Sequence, residues 1–584
     1  MRWTFQRFPF FIHQTKKVPL YVYGTIHKRV PDISSLSQVF GANQIAATME
    51  VNLLLLLIIV GILGVIYRQV KKHYDYFHDK PIPSMATVPL LGSTGPLMTK
   101  RCTFNDFIQT IYNKYPSAKI FGLFDMTTKM FVLRDPEVIK KITVKDFEYF
   151  VDRRPLFGAN KEDDGNENIL FNKTLVGMVD QRWRDMRAIL SPAFTGSKMR
   201  AMFELIEQYC TQMVPILKEQ SAESGYVDYE MKDFFSRVAN DIIATCAFGL
   251  QVESLKSRDN EFYTMGKQMM NFNRFIVLLR VMGLRFFPSL MIKMGVDIVD
   301  REQNQYFSKI IKEAVRARET HGIVRPDMIH LLMQARKGTL KHQQETTEST
   351  AGFATVEESD VGKSVVSKTM SEPEFIAQCL IFFLAGFDTV STGMLFMAYE
   401  LALNPDIQQK LYEEIAQTNK ELGGKPATYD TLQKMKYMDM VVSESLRMWP
   451  VAAFDRKCGR DYVLDDGAGL KFTIDAGTCI WVPVYGIHRD PKYYPNPDKF
   501  EPERFSDENR GKIDMTMYMP FGMGPRNCIG SRFALMEIKA IMYALLLNFS
   551  IERNEKTQVP LKLVKGFVGL QVENGLHLRF KKRK

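Results

Sequence analysis

Apolar residues recur at helical spacing along most of the chain, and two apolar runs are longer than the rest. The first run, residues 51–67, reads VNLLLLLIIVGILGVIY and is just long enough to cross a thin bilayer. Arg68, Lys71 and Lys72 follow it at once, and positive charge at this point favours the cytosolic side. We predict a single-pass signal anchor over residues 49–73. A cleaved signal peptide is less favoured, because no small-residue cleavage site stands out.

The second run, Phe375 to Leu403, is apolar on nearly all sides. As a second membrane span it would place Asp388 near the middle of the bilayer and Glu400 near its edge, which is expensive in lipid. A helix that is apolar all round can also be the central helix of a large domain. The two acidic residues favour this second interpretation.

The segments around the anchor differ from it in composition. Residues 1–48 are basic and hydroxylated, and their first acidic residue is Asp32. An organelle presequence has this composition, but an extension upstream of a second initiator at Met49 agrees better with the anchor. Residues 74–95 are proline-rich and predict a semi-rigid hinge. Residues 96–584 then predict one catalytic domain, in which the polar residues 336–371 form a long, mobile surface loop.

Two regions predict β-structure within a mostly helical pattern. Lys119 to Leu133 alternates between apolar and polar residues on both sides of a turn at residues 125–128, which is typical of a hairpin. Residues 451–484 contain further short runs of the same kind. We therefore predict a mainly α protein with small β-sheets (α+β), preceded by a membrane anchor.

Composition and charge narrow the functional classes. Hydrophobic residues make up 46% of the chain and charged residues 24%, an ordinary globular balance. The net charge of +11 is spread along the chain, without the basic patch interleaved with aromatic residues that a nucleic-acid-binding protein would need. It suits an anionic membrane surface or an acidic protein partner. The seven cysteines have neither disulfide-framework nor zinc spacing, which indicates a reducing compartment.

One cysteine lies in an unusual setting. The residues in front of Cys528, from Pro520 onward, include two glycines and a second proline, which predict a tight, non-helical loop. Apolar residues at helical spacing begin directly after it, so Cys528 lies at a helix N-terminus with Arg526 nearby. A thiol in this position is expected to ionise easily. A thiolate of this kind is a natural axial ligand of heme iron, whereas a lone cysteine is more often a buried structural residue.

Residues 521–530 fit Phe-x-x-Gly-x-Arg-x-Cys-x-Gly at every position, and the chain therefore resembles the cytochrome P450 superfamily. The resemblance implies that heme b (iron protoporphyrin IX) is bound through the Cys528 thiolate. It also implies that Phe521 lies beside the heme, that Arg526 meets a propionate, and that Gly530 lets the next helix approach the porphyrin. Four features resemble insect microsomal detoxification enzymes, in particular insect family nine. They are the anchor, the sequence ESLR at residues 444–447, the sequence PERF at residues 502–505 and the long loop.

Further residues acquire roles through the same resemblance. Trp183 and Arg187, four residues apart on one predicted helix face, correspond to the family's pair of propionate ligands. Arg456 corresponds to another propionate contact, with Arg153 as a second candidate. Glu444, Arg447 and Arg504 correspond to a buried triad that supports the cysteine loop.

The resemblance also assigns the polar residues of the second apolar run. Thr389 and Asp388 correspond to the pair that supports oxygen activation and relays protons, and Ala385 and Gly386 leave space beside them. Val390 departs from the family, which usually has Thr or Ser at this position.

The expected function is a monooxygenase that inserts one oxygen atom from O2 into lipophilic substrates, either xenobiotics or endogenous lipids and hormones. The resemblance implies that NADPH–cytochrome P450 reductase supplies electrons, with cytochrome b5 as an optional second donor. In agreement with an external donor, no Gly-x-Gly-x-x-Gly follows a predicted strand in this chain. The expected location is the endoplasmic reticulum (microsomal) membrane, with the catalytic domain in the cytosol.

Three alternatives stay open from the sequence. A heme-thiolate isomerase or dehydratase needs no O2 and tends to lack the Asp388–Thr389 pair. A non-enzymatic heme sensor would form no product with reductase and NADPH. A mitochondrial steroid or lipid hydroxylase would explain residues 1–48, although the anchor and the hinge argue against it.

Overall fold

A computed structural model describes residues 33–154, 170–271, 274–340, 352–356, 360–363, 369–451, 454–566 and 569–583. The chain divides into two compact units, Met1–His73 and Tyr74–Lys584. The predicted fold class is confirmed, since the described residues are mostly helical with small β-sheets.

The described part of the first unit is a single long helix, α1 (Ile33–Tyr74). The stretch Asn52–Phe77 is long and apolar enough to cross a membrane by length and composition, with a mean hydropathy of 2.4 and no burial of its apolar window. The helix begins upstream of the predicted start of the anchor at residue 49, because the uncharged residues 33–48 continue it without a proline.

The second unit contains the remaining helices. In its first half they are α2 (Gly95–Met98), α3 (Phe104–Lys114), α4 (Pro136–Lys140), α5 (Asp180–Leu190), α6 (Gly196–Gln220), α7 (Met231–Ile243), α8 (Glu261–Met269), α9 (Phe275–Phe286), α10 (Pro288–Lys293), α11 (Arg301–His321) and α12 (Met328–Arg336). In its second half they are α13 (Glu372–Ala385), α14 (Ser391–Leu403), α15 (Pro405–Glu421), α16 (Tyr429–Lys434), α17 (Lys436–Met448), α18 (Val484–Ile487) and α19 (Ser531–Asn548).

Nine strands form three sheets in the described residues. The strands are β1 (Ile120–Asp125), β2 (Thr128–Leu133), β3 (Tyr226–Glu230), β4 (Phe454–Lys457), β5 (Tyr462–Asp465), β6 (Lys471–Ile474), β7 (Cys479–Val482), β8 (Phe549–Arg553) and β9 (His577–Lys582). Their orders are β1-β2-β7-β4, β3-β9-β8 and β5-β6. The predicted hairpin is β1–β2, which is antiparallel and closed by Met126 at φ 55°.

The second apolar run forms the central helix of this unit. A π-helical turn, Gly386–Val390, joins α13 to α14. The run Glu372–Leu403 is as apolar as a membrane span, yet 67% of its apolar window is buried inside the protein. Helices α7, α17 and α19 pack against it, so the prediction of a central core helix is confirmed.

The regions predicted as hinge and loop contain packed segments. In the hinge, Phe77 is 2% exposed and lies directly over Gly122 of β1, and Gly92 pairs with Asp125. In the loop 336–371, residues 341–351, 357–359 and 364–368 lie outside the described residues. Among the described ones, Phe353 is 7% exposed and packs edge-on against Phe505 at 5.0 Å.

Candidate active site

The loop in front of Cys528 is folded tightly by its glycines. Gly522 and Gly524 have φ values of 78° and 74°, which residues with a side chain rarely adopt. A Cβ on Gly524 would also overlap the carbonyl oxygen of Thr143. The Cys528 N–H donates to the Phe521 carbonyl at 2.9 Å and closes the loop. Because α19 begins at Ser531 with Gly530 as its N-cap, Cys528 lies just before a helix N-terminus, as predicted.

Cys528 is an exposed residue, although many protein atoms surround its thiol. Burial raises the pKa of this thiol above its ordinary value, and the Gly530 N–H, Arg187 and Arg153 only partly oppose that effect. In the protein alone, desolvation therefore outweighs the helix terminus and the arginines that the sequence placed beside this thiol. A bound metal ion deprotonates a coordinating thiol outright, and bound heme iron would do the same at Cys528.

Three arginines from different elements bind the cysteine loop. Arg187 of α5 donates to the Asn527 carbonyl at 2.8 Å and to Asn527 Oδ1 at 2.7 Å. Arg456 of β4 donates to the Met523 carbonyl at 3.0 Å, and Arg153 donates to the Arg526 carbonyl at 3.3 Å. Thus the structure brings three predicted propionate contacts to one loop, although Arg153 and Arg187 are more than 300 residues from that loop in sequence.

The fourth predicted contact, Arg526, is held by backbone oxygens. Its guanidinium donates to the carbonyls of Met178 at 2.7 Å and Val151 at 3.2 Å. It also lies over the ring of Trp183, 4.5 Å from the centroid, so a cation–π contact with Trp183 supports Arg526. Burial and the nearby Arg153 lower the pKa of Arg526 to about 9.

This group of arginines fits the two carboxylates of heme b. Burial, together with Arg153 and Arg526, lowers the pKa of Arg456 well below its ordinary value, so an anion here would relieve the repulsion. The buried Nε of Arg456 has no hydrogen-bond partner among the described residues. In addition, a Cβ on Gly530 would meet no protein atom closer than Phe194 Cε1 at 3.9 Å. The protein itself therefore leaves room beside Cys528, as a porphyrin would require.

The predicted triad is assembled behind the loop. Arg447 Nε donates to Glu444 Oε2 at 2.7 Å, and Arg504 Nε lies 3.4 Å from Glu444 Oε1. Glu444 and Arg447 have no exposed side-chain surface. Arg447 also donates to the carbonyls of His488 and Pro497, each at 2.7 Å. A buried ion pair with this many partners fixes geometry more than it adds stability.

The π turn contains the predicted oxygen-activating pair. Thr389 Oγ1 donates to the Ala385 carbonyl at 2.6 Å, and both residues are exposed in the middle of an otherwise buried helix. A hydroxyl that bonds back to the carbonyl four residues earlier often bends its helix. Val390, where the sequence departs from the family, is 3% exposed and packs in the main core instead.

Two residues of this region were missed by the sequence reasoning. His488 lies between the Arg447 carbonyl, 3.1 Å from Nδ1, and the Met519 N–H, 3.2 Å from Nε2, and thereby connects the triad to the start of the cysteine loop. Lys232 of α7 binds Asp388 Oδ1 at 2.7 Å. Neither residue lies in a local pattern of its own, so only the tertiary structure reveals them.

Comparison with known proteins shows the family of this chain. The sequence matches the family described as Cytochrome P450 over residues 82–578. The chain belongs to the cytochrome P450 family. It is 42% identical to cytochrome P450 9e2 of Blattella germanica over 88% of this chain and 94% of that protein. It is 38% identical to cytochrome P450 9b2 of Drosophila melanogaster (87% and 94% covered) and 35% identical to cytochrome P450 3A2 of Rattus norvegicus (89% and 94% covered).

Membership of the cytochrome P450 family decides the chemistry. The predicted resemblance to insect family nine is confirmed, and the protein is a heme-thiolate monooxygenase that binds heme b through a cysteine thiolate. The family also implies redox partners and lipophilic substrates in general.

Proposed function

We propose that this cytochrome P450 is a microsomal monooxygenase of lipophilic xenobiotics or endogenous lipids and hormones. It receives electrons from NADPH through the membrane-bound NADPH–cytochrome P450 reductase, with cytochrome b5 as an optional second donor. It resides in the endoplasmic reticulum membrane with residues 96–584 in the cytosol. The observation that carries the proposal is Cys528, held accessible by a glycine-folded loop that three arginines clamp.

The location is supported by two apolar features. The apolar stretch from Asn52 is followed by Lys71, Lys72 and His73 in its last turn, the side that positive charge assigns to the cytosol. Helices α9 and α10 also present large apolar side chains to solvent, namely Ile276, Leu278, Leu279, Phe286, Phe287, Leu290 and Met294. So much exposed apolar surface is typical of a membrane contact.

The geometry supports the roles proposed for the site residues. When bound, heme b supplies the activation of O2 and the transfer of one oxygen atom to substrate. Cys528 would ligate the iron, Phe521 and Gly530 would flank the porphyrin, and the propionates would take their partners from the arginine cluster: Arg153, Arg187, Arg456 and Arg526. Trp183 holds Arg526 in place, and the triad of Glu444, Arg447 and Arg504 fixes the support of the loop.

Thr389 and Asp388 would handle protons. The Thr389 hydroxyl donates to the Ala385 carbonyl, which turns its oxygen lone pairs away from that carbonyl and toward the exposed side of the helix. A hydroxyl in this position would accept a hydrogen bond and so orient a proton donor, while its own proton stays with the Ala385 carbonyl. The Asp388 carboxylate, 40% exposed, would exchange protons with solvent.

The first test concerns the thiolate. Reduced protein treated with carbon monoxide should show the red-shifted Soret band of sulfur-ligated heme, and Cys528→Ser should abolish it. Cys479→Ser changes a buried cysteine of β7 that is not part of the loop, so it is the control and should keep the band. An unchanged band in Cys528→Ser would overturn the assignment of the ligand.

The second test concerns the electron donor and the membrane. Microsomes that contain the full chain, given reductase, NADPH and a panel of lipophiles, should form oxygenated products that mass spectrometry detects. Omission of the reductase should abolish them. Fractionation of tagged protein should place it in microsomes, and recovery in mitochondria would instead support the mitochondrial hydroxylase.

A further inference from the structure

Lys232 is fixed at the start of α7 by Glu230, the last residue of β3. The Glu230 carboxylate accepts hydrogen bonds from the backbone N–H groups of Lys232 at 3.1 Å and Asp233 at 2.7 Å. It also accepts one from the Leu576 N–H at 3.2 Å, next to β9. Contacts of Glu230 with α7 and with the residue before β9 therefore fix the backbone from which the Lys232 side chain extends.

The ammonium group of Lys232 is surrounded by oxygens of the central helix. Its Nζ donates to Asp388 Oδ1 at 2.7 Å, Thr392 Oγ1 at 2.8 Å, Ser391 Oγ at 2.9 Å and the Asp388 carbonyl at 3.3 Å. An ammonium has three protons, so these four acceptors use all of its donor capacity.

These acceptors lie where the π turn Gly386–Val390 becomes α14. The Asp388 carbonyl also accepts from Ser391 Oγ at 3.0 Å and Thr392 Oγ1 at 2.7 Å. π turns in α-helices are rare and frequently lie at functional sites. Lys232 is thus the side chain by which a second helix holds the C-terminal end of this turn, directly beside Thr389.

Stability alone does not account for this arrangement. The side chains of Lys232 and Asp388 are 38% and 40% exposed, and ion pairs of this exposure contribute about 0–1 kcal/mol. Their contribution is instead geometric, because the pair fixes which way the Asp388 carboxylate points and how wide the turn is.

We propose that Lys232 is a positioning residue for the proton relay of this monooxygenase, acting through Asp388 and the π turn. The inference rests on the proposed roles of Asp388 and Thr389. Coupled turnover converts substrate RH, O2, NADPH and one proton into ROH, water and NADP⁺. Uncoupled turnover converts the same O2, NADPH and proton into hydrogen peroxide and NADP⁺. A displaced Asp388 delivers protons to the wrong oxygen or too late, and this shifts turnover from water to peroxide.

The experiment compares Lys232→Met and Lys232→Arg with the full-length wild-type holoenzyme, using reductase, NADPH and 7-ethoxycoumarin as a lipophilic probe. Lys232→Met should lower product per NADPH at least fivefold and raise hydrogen peroxide correspondingly, while NADPH oxidation stays within about twofold of wild type. Lys232→Arg keeps the charge and the donors and should retain at least half of the coupling. Lys267→Met, which removes a 62% exposed lysine of α8 paired with Asp233, is the control and should match wild type.

A second readout does not depend on catalysis. Hydrogen–deuterium exchange of the peptide that covers residues 386–394 should be at least tenfold faster in Lys232→Met than in wild type or Lys267→Met. Wild-type coupling together with wild-type exchange in Lys232→Met would overturn the inference. If the wild-type protein forms no product with reductase and NADPH, the proposed function fails, and exchange still decides whether Lys232 holds the turn.

Discussion

Gly524 is the residue where the backbone of the cysteine loop has least freedom. Its φ of 74° costs a residue with a side chain about 1–2 kcal/mol, and a Cβ would overlap the Thr143 carbonyl oxygen. We predict that Gly524→Ala loses the carbon monoxide Soret band or lowers the melting temperature by more than 10 °C. Gly477→Ala is the control, since Gly477 has a φ of 82° but no atom within 4 Å of its added Cβ. If Gly524→Ala and Gly477→Ala affect the Soret band and the melting temperature equally, the positive φ alone explains the loss, and the overlap with Thr143 contributes nothing.

His488 predicts a pH dependence of stability. Burial and Arg447 lower its pKa from 6.5 to about 3, so the native state keeps it neutral while the unfolded chain takes up a proton below about pH 6.5. Stability from this residue is therefore complete above pH 6.5 and falls by about 1.4 kcal/mol per pH unit between pH 6.5 and 3. In His488→Phe this dependence disappears, together with two hydrogen bonds to buried backbone groups.

The measurement is the free energy of unfolding of wild type and His488→Phe in denaturant from pH 7.5 to 5. Wild type should be more stable by about 2 kcal/mol at pH 7.5, because two buried backbone groups lose a partner in the variant. The difference should shrink as the pH falls. A constant difference over this range would contradict the assigned pKa.

Residues with a local pattern could be predicted, and residues defined by tertiary contacts could not. Gly524 and Cys528 share one loop, and the sequence spacing alone indicated a turn followed by a helix. His488 and Lys232 work through partners at least 30 residues away, so no window of sequence contains both sides of the contact. The direction of the thiol pKa shift in the protein alone could not be predicted for a similar reason, because desolvation depends on the whole fold.

At the scale of elements, the triad joins α17 to the segment that follows α18. Glu444 accepts hydrogen bonds from Arg447 and from the Glu501 N–H at 2.8 Å. Removing its charge leaves Arg447 buried and unneutralised, which costs about 3–5 kcal/mol. We predict that Glu444→Gln lowers the melting temperature steeply and reduces the heme content of purified protein.

The matched control for the triad lies in the same segment. Glu503 is 44% exposed and pairs with Lys410 at 2.7 Å, so Glu503→Gln should change stability by less than about 1 kcal/mol. Thermal unfolding and absorbance of the heme report both variants. Comparable losses of stability and heme in Glu444→Gln and Glu503→Gln would show that the burial of Glu444 is unimportant.

Elements were predicted best where periodicity was long. The central helix and the β1–β2 hairpin agree with the predictions, since each is a long apolar or alternating run. Short elements such as α18, and the π turn that separates α13 from α14, could not be predicted from periodicity. They depend on contacts with helices that are distant in the sequence, such as Lys232 with Asp388.

At the scale of the whole molecule, the exposed apolar side chains of α9 and α10 predict membrane binding that does not need the anchor. Phe287 is 65% exposed and Leu290 56%, and burying each in lipid is worth about 1.5–3 kcal/mol. Protein without residues 1–73 should therefore float with liposomes. Phe287→Ser combined with Leu290→Ser should reduce the bound fraction at least tenfold, as measured by co-flotation.

A matched surface change tests whether this effect is specific. Val324 is 79% exposed but lies between α11 and α12, so Val324→Ser should leave flotation unchanged. Equal binding of all variants would show that charge, rather than the α9–α10 surface, holds the protein on lipid.

The buried central helix also has a consequence for biosynthesis. During translation at the membrane, the segment Glu372–Leu403 leaves the ribosome some 300 residues after the proposed anchor, and it is long and apolar enough to cross a membrane by length and composition. Asp388 is then a discriminator against insertion, because an aspartate at the centre of a segment adds about 2.5–3.5 kcal/mol to its insertion free energy. We expect Asp388→Leu to redirect part of the nascent chains into a two-span topology, which glycosylation of a site engineered downstream of Leu403 would reveal.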